Sequence, residues 1–337
     1  MSATQDRPLR ILLSRKTCER IGSTIAEVLG NRRFEPVIAS PLPDEEPRDV
    51  DIAFISRDVT GISTKHVIAK SLEAFYASLR ASVGLRWVHA HSAGADRPIV
   101  AELRARGVTV TLSSGANAPI VAQTALAGIL ALAREFPRLF DAQRERRWAP
   151  LVGAALPADL AGQTAIVVGW GPIGRRIAEL LQVLGLQVIV ARSTEDPAAA
   201  GIETVRFEAL QTVAGRAHWL VLACPLSDRT RRLVDARLLA GLRPGARLVN
   251  VARGEVVVEQ ALIDALRSGA LSGAYLDVFE HEPLDPQSPL WGHENVIVTP
   301  HSAGHSDGNE ARVDRIFLEH LREWRNEPTL QQEPQWR

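Results

Sequence analysis

Three side chains of complementary chemistry follow apolar, strand-like runs in the second half of the chain: Arg253, Glu282 and His301. Because the carboxyl ends of parallel strands face one ligand crevice, we expect the three to lie close together. A guanidinium there can bind a carboxylate through two parallel hydrogen bonds and polarise a neighbouring carbonyl. An imidazole changes its protonation near neutral pH, and a carboxylate beside it favours the charged form and fixes the ring. The three residue types predict proton transfer on a substrate that carries a carboxylate.

A glycine-rich turn lies in the same half of the chain. Thr164–Val168 has the composition of a strand, and Arg175–Leu184 has the periodicity of a helix. In such a turn the first glycine permits the bend, the second lets the backbone approach a pyrophosphate, and the third lets the helix pack on the strand. A purely structural turn is the alternative, but this context predicts a dinucleotide site. Its expected contacts are Gly169, Gly171, Pro172, Ile173 and Gly174.

The type of residue at the end of the next strand determines which nicotinamide cofactor, NAD(H) or NADP(H), is preferred. At the end of Gln187–Val190, an Asp or Glu would accept a hydrogen bond from the ribose 2′-hydroxyl of NAD. Arg192 stands there instead, followed by Ser193 and Thr194. A guanidinium with two hydroxyls suits a 2′-phosphate, so we expect NADP(H) to be preferred, with NAD(H) as the alternative cofactor. A simple surface role for Arg192 is the competing interpretation.

A dinucleotide turn and a proton donor together indicate hydride transfer. A hydride that reaches a carbonyl carbon leaves negative charge on the oxygen, which His301 can protonate. Taken singly, His301 could be a surface or core histidine, and Arg253 could form a structural salt bridge. A shared catalytic role explains better than chance why three suitable groups occur at three strand ends after such a turn. Arg253, Glu282 and His301 are therefore the predicted catalytic set.

The elements that would position these residues alternate along the whole chain. Short β-branched runs alternate with helical patterns, which is typical of an α/β protein with parallel sheets. The predicted strands form two series, Arg10–Leu13, Asp51–Ile55, Arg86–His89 and Val108–Thr111, then Thr164–Val168, Gln187–Val190, Trp219–Ala223, Arg247–Val251, Ala274–Asp277 and Val296–Val298. An apolar helix, Ala118–Arg134, separates the series and marks a domain crossing. The amphipathic segment Asn309–Trp324 is long enough to return to the first domain.

Composition limits the partners. A chain of 337 residues exceeds the usual size of a single hydrophobic core, which favours two domains. Its 39 basic and 39 acidic residues leave no net charge that would attract nucleic acid or an anionic membrane. Cys18 and Cys224 form neither a disulfide framework nor a zinc site, and no secretory signal is legible, so we expect a cytoplasmic protein without a metal. The apolar run Ala118–Ala133 is shorter than the ~20 residues of a membrane span.

Five segments resemble the D-isomer-specific 2-hydroxyacid dehydrogenase family. They are Gly169-Trp-Gly171-Pro-Ile-Gly174, Cys224-Pro225-Leu226, Leu248-Val-Asn-Val-Ala-Arg253-Gly254, Asp277 to Leu284, and Thr299-Pro-His301-Ser-Ala-Gly304. They cover most of the second half, and their combination in this order is highly specific. In the first half, Trp87 to Gly94 resembles the family loop whose backbone amides receive the substrate carboxylate.

The resemblance implies two Rossmann-like, doubly wound parallel-sheet domains with the active-site cleft between them. Residues 1–117 and 305–337 would form a discontinuous substrate-binding domain. Residues 118–304 would form the dinucleotide-binding domain, including the crossing helix. The resemblance also implies a homodimer formed through the nucleotide domains.

The resemblance assigns roles by position. Arg253 matches the substrate-binding arginine, His301 the acid/base, Glu282 its partner, and Asp277 the residue near the nicotinamide carboxamide. Substrate contacts are expected at Ser92, Ala93 and Gly94 as well. Further cofactor contacts are expected at Cys224, Pro225, Val251, Ala252, Asp277, His301, Ala303 and Gly304.

The expected reaction is the reversible, NAD(P)H-dependent reduction of a small 2-oxo acid to the D-2-hydroxy acid, with glyoxylate and hydroxypyruvate as the nearest substrates. We expect the substrate's side group to lie near Arg57, Ser92 and Trp291. Gln123-Thr124 and Ala223 depart from residues common in the family, so no one relative's substrate is carried over. The alternatives are a non-catalytic nucleotide sensor or corepressor on this fold, which the intact catalytic set disfavours, and an enzyme for formate or phosphite.

Overall fold

The structure is a computed structural model that describes residues 7–39, 49–61, 63, 67–153 and 156–326. Within them the chain divides into two units. One comprises the residues up to Asn117 together with those from Ser306 onward, and the other is Ala118–His305. The ends of the predicted substrate-binding domain, residues 1–6 and 327–337, lie outside the described residues. Both units contain a parallel sheet with helices, so the predicted α/β class is confirmed.

The first unit is built on a five-stranded parallel sheet in the order β2-β1-β3-β4-β5. Its strands are β1 (Leu9–Leu13), β2 (Phe34–Ile38), β3 (Ile52–Ile55), β4 (Trp87–Ala90) and β5 (Thr109–Leu112). The helices between them are α1 (Arg15–Leu29), α2 (Arg57–Thr60), α3 (Lys70–Ala81) and α4 (Pro98–Ala105). The strand order reverses between β1 and β3, and ligands of open α/β sheets bind beyond the carboxyl ends of the strands at such a reversal.

The second unit is built on a seven-stranded parallel sheet in the order β12-β11-β10-β9-β6-β7-β8. Its strands are β6 (Thr164–Val168), β7 (Gln187–Arg192), β8 (Glu203–Arg206), β9 (Trp219–Leu222), β10 (Ala246–Asn250), β11 (Leu271–Leu276) and β12 (Val296–Val298). Its helices are α5 (Ala118–Ala133), α6 (Phe136–Arg144), α7 (Pro172–Val183), α8 (Leu210–Val213), α9 (Ala236–Ala240) and α10 (Glu259–Arg267). The order reverses between β6 and β9, where the glycine turn follows β6.

The last helix, α11 (Asn309–Asn326), belongs to the first unit and packs against α1, as its amphipathic pattern predicts. Phe317 on its buried face stacks on Phe54 of β3, with 4.5 Å between the ring centroids. Asp314 accepts hydrogen bonds from the Arg20 guanidinium, 2.5 Å from Nε and 3.0 Å from Nη2. Apolar stacking and ion pairs of Arg20 with Asp314 and Glu310 thus hold the C-terminal helix to the first unit.

Helix α5 is the apolar segment that the sequence predicts to be buried, and it packs against α6, α7, β10 and β11. Gly128 lies directly against the ring of Tyr275, where a Cβ atom would overlap the aromatic carbons. No single helix of the described residues is long and apolar enough to cross a membrane. Helices α5 and α6 reach that length only as a pair bent by 70°.

Two strands that the sequence pattern did not indicate, β2 and β8, lie at sheet edges. Each leaves half of its surface exposed, and β2 includes Glu35 and Pro36, so neither shows a continuous apolar run. Proline and charged side chains are typical of edge strands, which need fewer ladder hydrogen bonds. Pairing with β8 also extends β7 two residues beyond its predicted end, so that Arg192 lies within the strand opposite Arg206.

Candidate active site

The glycine turn after β6 is formed by close backbone approach. Gly169 has a φ of 107°, and a Cβ there would lie 2.7 Å from the carbonyl oxygen of Ala223 and from the backbone of Cys224. A Cβ on Gly174 would overlap the carbonyl oxygen of Gly169. On Gly171 a Cβ would meet nothing within 4 Å. The first and third glycines are therefore needed for packing, whereas the second leaves open space in front of α7.

That open space fits the pyrophosphate of a dinucleotide. Gly171 is the N-cap of α7, and Pro172 is its first residue. The N–H groups in the first turn of a helix have no partner within the helix and attract anions. Ile173 and Gly174 supply such N–H groups here. The residues present thus match the requirements of the predicted cofactor.

Cys224 and Pro225 follow β9 and lie beside this turn. The Cys224 side chain is buried, and burial raises the pKa of its thiol to about 12. It remains a neutral thiol near pH 7 and fills space behind Gly169. Pro225 is exposed. The segment therefore presents backbone and a proline ring, with no reactive sulfur.

The predicted 2′ site contains two arginines at the ends of neighbouring strands. Arg192 ends β7, and Arg206, its register partner, ends β8. Arg206 Nη1 lies 3.9 Å from the Glu195 carboxylate and its Nε 3.5 Å from that of Glu208. The Thr194 hydroxyl is buried and has no hydrogen-bond partner among the described residues. Two cations and an unsatisfied hydroxyl suit an anionic oxygen-rich group such as a phosphate.

The predicted acid/base pair is assembled. His301 Nδ1 lies 2.8 Å from Glu282 Oε2, and the other Glu282 oxygen accepts a hydrogen bond from the Phe279 N–H at 3.2 Å. The Glu282 side chain is 16% exposed and that of His301 45% exposed. The carboxylate is therefore fixed behind the ring, and Nε2 is the nitrogen that can exchange a proton with a substrate.

The backbone of His301 adopts the left-handed conformation, with a φ of 51°. Residues without glycine's freedom adopt it at a cost of about 1–3 kcal/mol, often at functional sites. The His301 N–H donates to the carbonyl oxygens of Asp277 at 2.8 Å and Thr299 at 3.0 Å. These bonds hold the strained residue in the orientation that meets Glu282.

Asp277 organises the loop on which His301 lies. Its buried carboxylate accepts hydrogen bonds from the Thr299 hydroxyl at 2.7 Å, the Ser302 N–H at 2.9 Å and the Ala303 N–H at 3.0 Å. Burial raises the pKa of Asp277, and these three donors act in the opposite direction. The sequence indicated only a role near the nicotinamide. The signal for its structural role was an acidic residue at the end of an apolar strand.

Arg253 lies on the loop after β10, beside the loop after β11. Gly254 lets these two loops touch, because a Cβ atom at this position would overlap the backbone of Phe279 and Glu280. Arg253 Nη1 donates to the Ala252 carbonyl oxygen at 2.7 Å. Asn250, which sequence reasoning missed, accepts from the Ala252 N–H at 3.0 Å and donates to the Arg253 carbonyl oxygen at 3.1 Å.

The three predicted catalytic residues therefore follow adjacent strands, β10, β11 and β12. Val251 and Ala252 are buried in the Arg253 loop. Ala303 is buried in the His301 loop, and Gly304 follows it. One edge of the second unit thus carries a cation, a carboxylate–imidazole pair and the glycine turn.

The predicted substrate loop, Ser92 to Gly94, follows β4 in the first unit. The carbonyl oxygens of Ser92, Ala93 and Gly94 accept hydrogen bonds from Ser113, Ser114 and the Ser92 hydroxyl, at 3.1, 3.5 and 3.1 Å. Within the part of the chain that the structure describes, no group accepts from the three backbone N–H groups. The loop can therefore present these N–H groups to a carboxylate.

Comparisons with known proteins agree with these features. A family model described as the NAD binding domain of D-isomer specific 2-hydroxyacid dehydrogenase matches residues 126–303. The (S)-sulfolactate dehydrogenase of Chromohalobacter salexigens is 37% identical over 243 residues, which cover 71% of this chain and 77% of that protein. The glyoxylate reductase of Thermococcus gammatolerans is 32% identical over 303 residues, which cover 86% of this chain and 87% of that protein.

A solved structure is similar along almost the whole chain. It is an NADPH-dependent glyoxylate/hydroxypyruvate reductase of Sinorhizobium meliloti, in complex with citrate. The TM-score is 0.72 and the identity 27%, and the match covers 94% of each chain. The two-domain α/β architecture is thus shared with this reductase.

Replacing Asp277 tests its structural role. We expect Asp277→Asn to lower the free energy of unfolding by about 1–3 kcal/mol, because an amide cannot accept from all three buried donors. Urea denaturation followed by circular dichroism measures the change. Asp285→Asn, at an exposed carboxylate in the same unit, is the control and should have little effect. Equal stability of the two variants would contradict the role.

Proposed function

We propose a reaction for this chain, which belongs to the D-isomer specific 2-hydroxyacid dehydrogenase family. The chain uses NADPH to reduce a small 2-oxo acid to the D-2-hydroxy acid, and the reaction is reversible. The observation that carries the proposal is the 2.8 Å contact between His301 Nδ1 and the Glu282 carboxylate. The pair lies on the same sheet edge as the dinucleotide turn. A nucleotide sensor without catalysis would have no use for this pair.

Each proposed catalytic residue has its own role in the reaction. When bound at the glycine turn, the nicotinamide cofactor supplies the hydride. His301 Nε2 gives its proton to the carbonyl oxygen as negative charge develops there. Glu282 stabilises the imidazolium before that transfer and fixes the ring. Arg253 binds the substrate carboxylate and polarises the carbonyl. In the opposite direction His301 takes the proton from the hydroxyl.

The substrate proposed is a short 2-oxo acid, with glyoxylate and hydroxypyruvate as the first to test. The backbone N–H groups of Ser92, Ala93 and Gly94 would bind its carboxylate. The Ser92 and Ala93 carbonyl groups are already bonded within the unit, and they share peptide planes with the N–H groups of Ala93 and Gly94, which orients those two N–H groups. Relatives named as glyoxylate or glyoxylate/hydroxypyruvate reductases support this choice.

The preference proposed is for NADPH over NADH. Arg192, Ser193 and Thr194 would bind the 2′-phosphate, and Arg206 adds a second guanidinium at the neighbouring strand end. Glu195 and Glu208 are acidic residues near this site, and their carboxylates lie 3.9 and 3.5 Å from Arg206. A relative named as NADPH-dependent supports the preference.

The proposed assembly is a homodimer, formed by the second unit. Large apolar side chains are exposed along α6 and the segment after it. They are Phe136, Phe140, Trp148, Val152 and Leu156. Exposed apolar surface of this extent marks a protein interface. A second copy of the chain is the proposed partner.

The proposed location is the cytoplasm. Cys18 and Cys224 are both free thiols, which agrees with a reducing compartment. Recovery of the protein in a cytoplasmic fraction after cell lysis would test the assignment.

Removing the imidazole tests the catalytic assignment. We expect His301→Ala to lower kcat for glyoxylate reduction by ~10²-fold or more, because the general acid is lost. NADPH binding, measured by fluorescence titration, should be nearly unchanged. His293→Ala removes a histidine of the same unit away from the pair and serves as the control. Full turnover by a folded His301→Ala variant would exclude the assignment.

The carboxylate partner is tested through pH. Glu282→Gln keeps the shape of the side chain but removes the charge that favours the imidazolium. The fall of reductase activity on the alkaline side should therefore begin at a lower pH than in the wild type. Initial rates at saturating cofactor across the pH range measure the shift. Superimposable profiles would show that the pair does not operate in catalysis.

Cofactor preference is tested at the 2′ site. Arg192→Asp should weaken NADPH binding at least about tenfold, because a charge-assisted hydrogen bond is lost and repulsion is added. NADH binding should change less, and kcat at saturating cofactor should change little. Arg216→Asp alters an exposed arginine that pairs with Glu203 and is the control. If Arg192→Asp leaves the ratio of kcat/KM with NADPH to kcat/KM with NADH unchanged, Arg192 does not bind the cofactor.

The dimer is tested by introducing charge. Phe140→Glu combined with Trp148→Glu should convert the dimer to a monomer, because two carboxylates would be buried without partners. Light scattering coupled to gel filtration measures the mass. Val183→Glu, at an apolar side chain that is 84% exposed on α7, is the control. A monomeric wild type, or an unchanged dimer in the double variant, would refute the proposed interface.

A further inference from the structure

Tyr275 lies on the face of β11 that packs against helix α5. Its register partners are Val249 on β10 and Ile297 on β12, and its side chain is buried. A Cβ on Gly128 of α5 would overlap the tyrosine ring, so the glycine makes room for it. Helix α5 carries no ionisable side chain. The helix therefore fixes where the ring, and with it the hydroxyl, can lie.

Three polar side chains meet where β11 and β12 end. Successive side chains of a strand point to opposite faces, so Tyr275 and Asp277, two residues apart, share one face. Thr299 follows β12, two residues after Ile297, the register partner of Tyr275. The Tyr275 hydroxyl lies 2.8 Å from the Thr299 hydroxyl, which lies 2.7 Å from Asp277 Oδ1.

The hydrogen bonds among these three residues have one direction. Asp277 Oδ1 also accepts from the N–H groups of Ser302 and Ala303, at 2.9 and 3.0 Å, so it acts as an acceptor. The single hydroxyl proton of Thr299 is donated to this oxygen. The Thr299 oxygen can then only accept, and Tyr275 is the donor to it. Tyr275, Thr299 and Asp277 thus form a hydroxyl chain that ends on the carboxylate.

The hydroxyl chain favours the ionised form of Asp277. Burial raises the pKa of Asp277, whereas the Thr299 hydroxyl, the N–H groups of the next loop and the nearby His301 lower it. A hydroxyl that accepts a hydrogen bond is itself a stronger donor, because linked bonds polarise one another. Burial raises the pKa of Tyr275 to about 12, and the Asp277 charge acts in the same direction. Tyr275 therefore stays a donor near neutral pH.

Asp277 connects the hydroxyl chain to the proposed proton donor. Its carbonyl oxygen accepts from the His301 N–H at 2.8 Å, and its carboxylate holds the next two residues of the same loop. His301 has a φ of 51°, a strained conformation that persists only when neighbouring bonds impose it. A displaced carboxylate would therefore move the imidazole relative to Glu282. Tyr275 can thus act on the reaction only through these intervening groups.

We propose that Tyr275 is a positioning residue of the reaction, which acts through Thr299 to hold the Asp277 carboxylate in place as an anion and thereby to hold the His301 loop. This inference rests on the proposed function. The hydroxyl carries the role, because a phenylalanine would fill the same space beside Gly128. A tyrosine that served packing alone would leave the pH dependence of the reaction unchanged.

The pH dependence of kcat tests this role. Tyr275→Phe keeps the ring but removes the donor, so Asp277 becomes neutral at a higher pH. We expect kcat for glyoxylate reduction at neutral pH to fall roughly three- to tenfold, and the acid limb of the profile to move to higher pH. The alkaline limb, which His301 sets, and KM for glyoxylate should change little. Tyr76→Phe, which removes the chain's other tyrosine hydroxyl, is the control and should leave the profile unchanged.

Variants of Thr299 separate the hydroxyl chain from simple packing. Thr299→Val removes the link, and adding Tyr275→Phe to it should cause no further loss of kcat, because Tyr275 acts through Thr299. Thr299→Ser keeps the hydroxyl and should keep the wild-type acid limb. Losses that add in the double variant, or an unmoved acid limb in folded Tyr275→Phe, would overturn the inference.

Hydrogen exchange tests the same role without the reaction. The N–H groups of Ser302 and Ala303 are bonded to Asp277, so Tyr275→Phe should speed their exchange at least about threefold. Mass spectrometry of peptides from the full-length protein measures the rate, and Tyr76→Phe should not change it. If the chain reduces no 2-oxo acid, the proposed function fails, yet this measurement still decides whether Tyr275 holds the loop. Equal exchange in the wild type and Tyr275→Phe would contradict the positioning role.

Discussion

The buried carboxylate of Asp277 is the interaction on which the proposed active site depends. It accepts hydrogen bonds from one side chain and two backbone N–H groups of the loop after β12. Its own carbonyl oxygen accepts from the His301 N–H. Without these bonds the loop would lose the constraint that keeps His301 in a left-handed conformation. The imidazole would then no longer be held against Glu282.

Close approach of backbones is the second constraint, and it explains why glycine occurs where it does. At Gly169 and Gly174 a side chain would overlap neighbouring backbone, and at Gly254 it would overlap the loop that leads to Glu282. These three positions join the ends of β6, β9, β10 and β11. At Gly171 no such overlap exists, and the absent side chain leaves room for a ligand. The same residue type thus serves packing at three positions and binding at one.

The sequence predicts the central strands, the apolar helix α5 and the His301–Glu282 pair, because each depends on a local pattern or a specific motif. It did not indicate β2 and β8, whose polar, half-exposed edges lack a strong pattern. Arg206 was missed for the same reason, since it lies on β8. The structural role of Asp277 depends on bonds to a loop after a different strand. Asn250 bonds the backbone of its own loop, at Ala252 and Arg253, and no recognised motif marks such bonds.

Transfer of the hydride itself is the most direct test of the central claim. Hydroxypyruvate is incubated with NADPH that carries deuterium in both C4 positions, and the product is analysed by chiral chromatography and mass spectrometry. We predict D-glycerate with one deuterium at C2 for each NADPH oxidised. Unlabelled glycerate, the L-isomer, or no oxidation of NADPH with any 2-oxo acid would contradict the account.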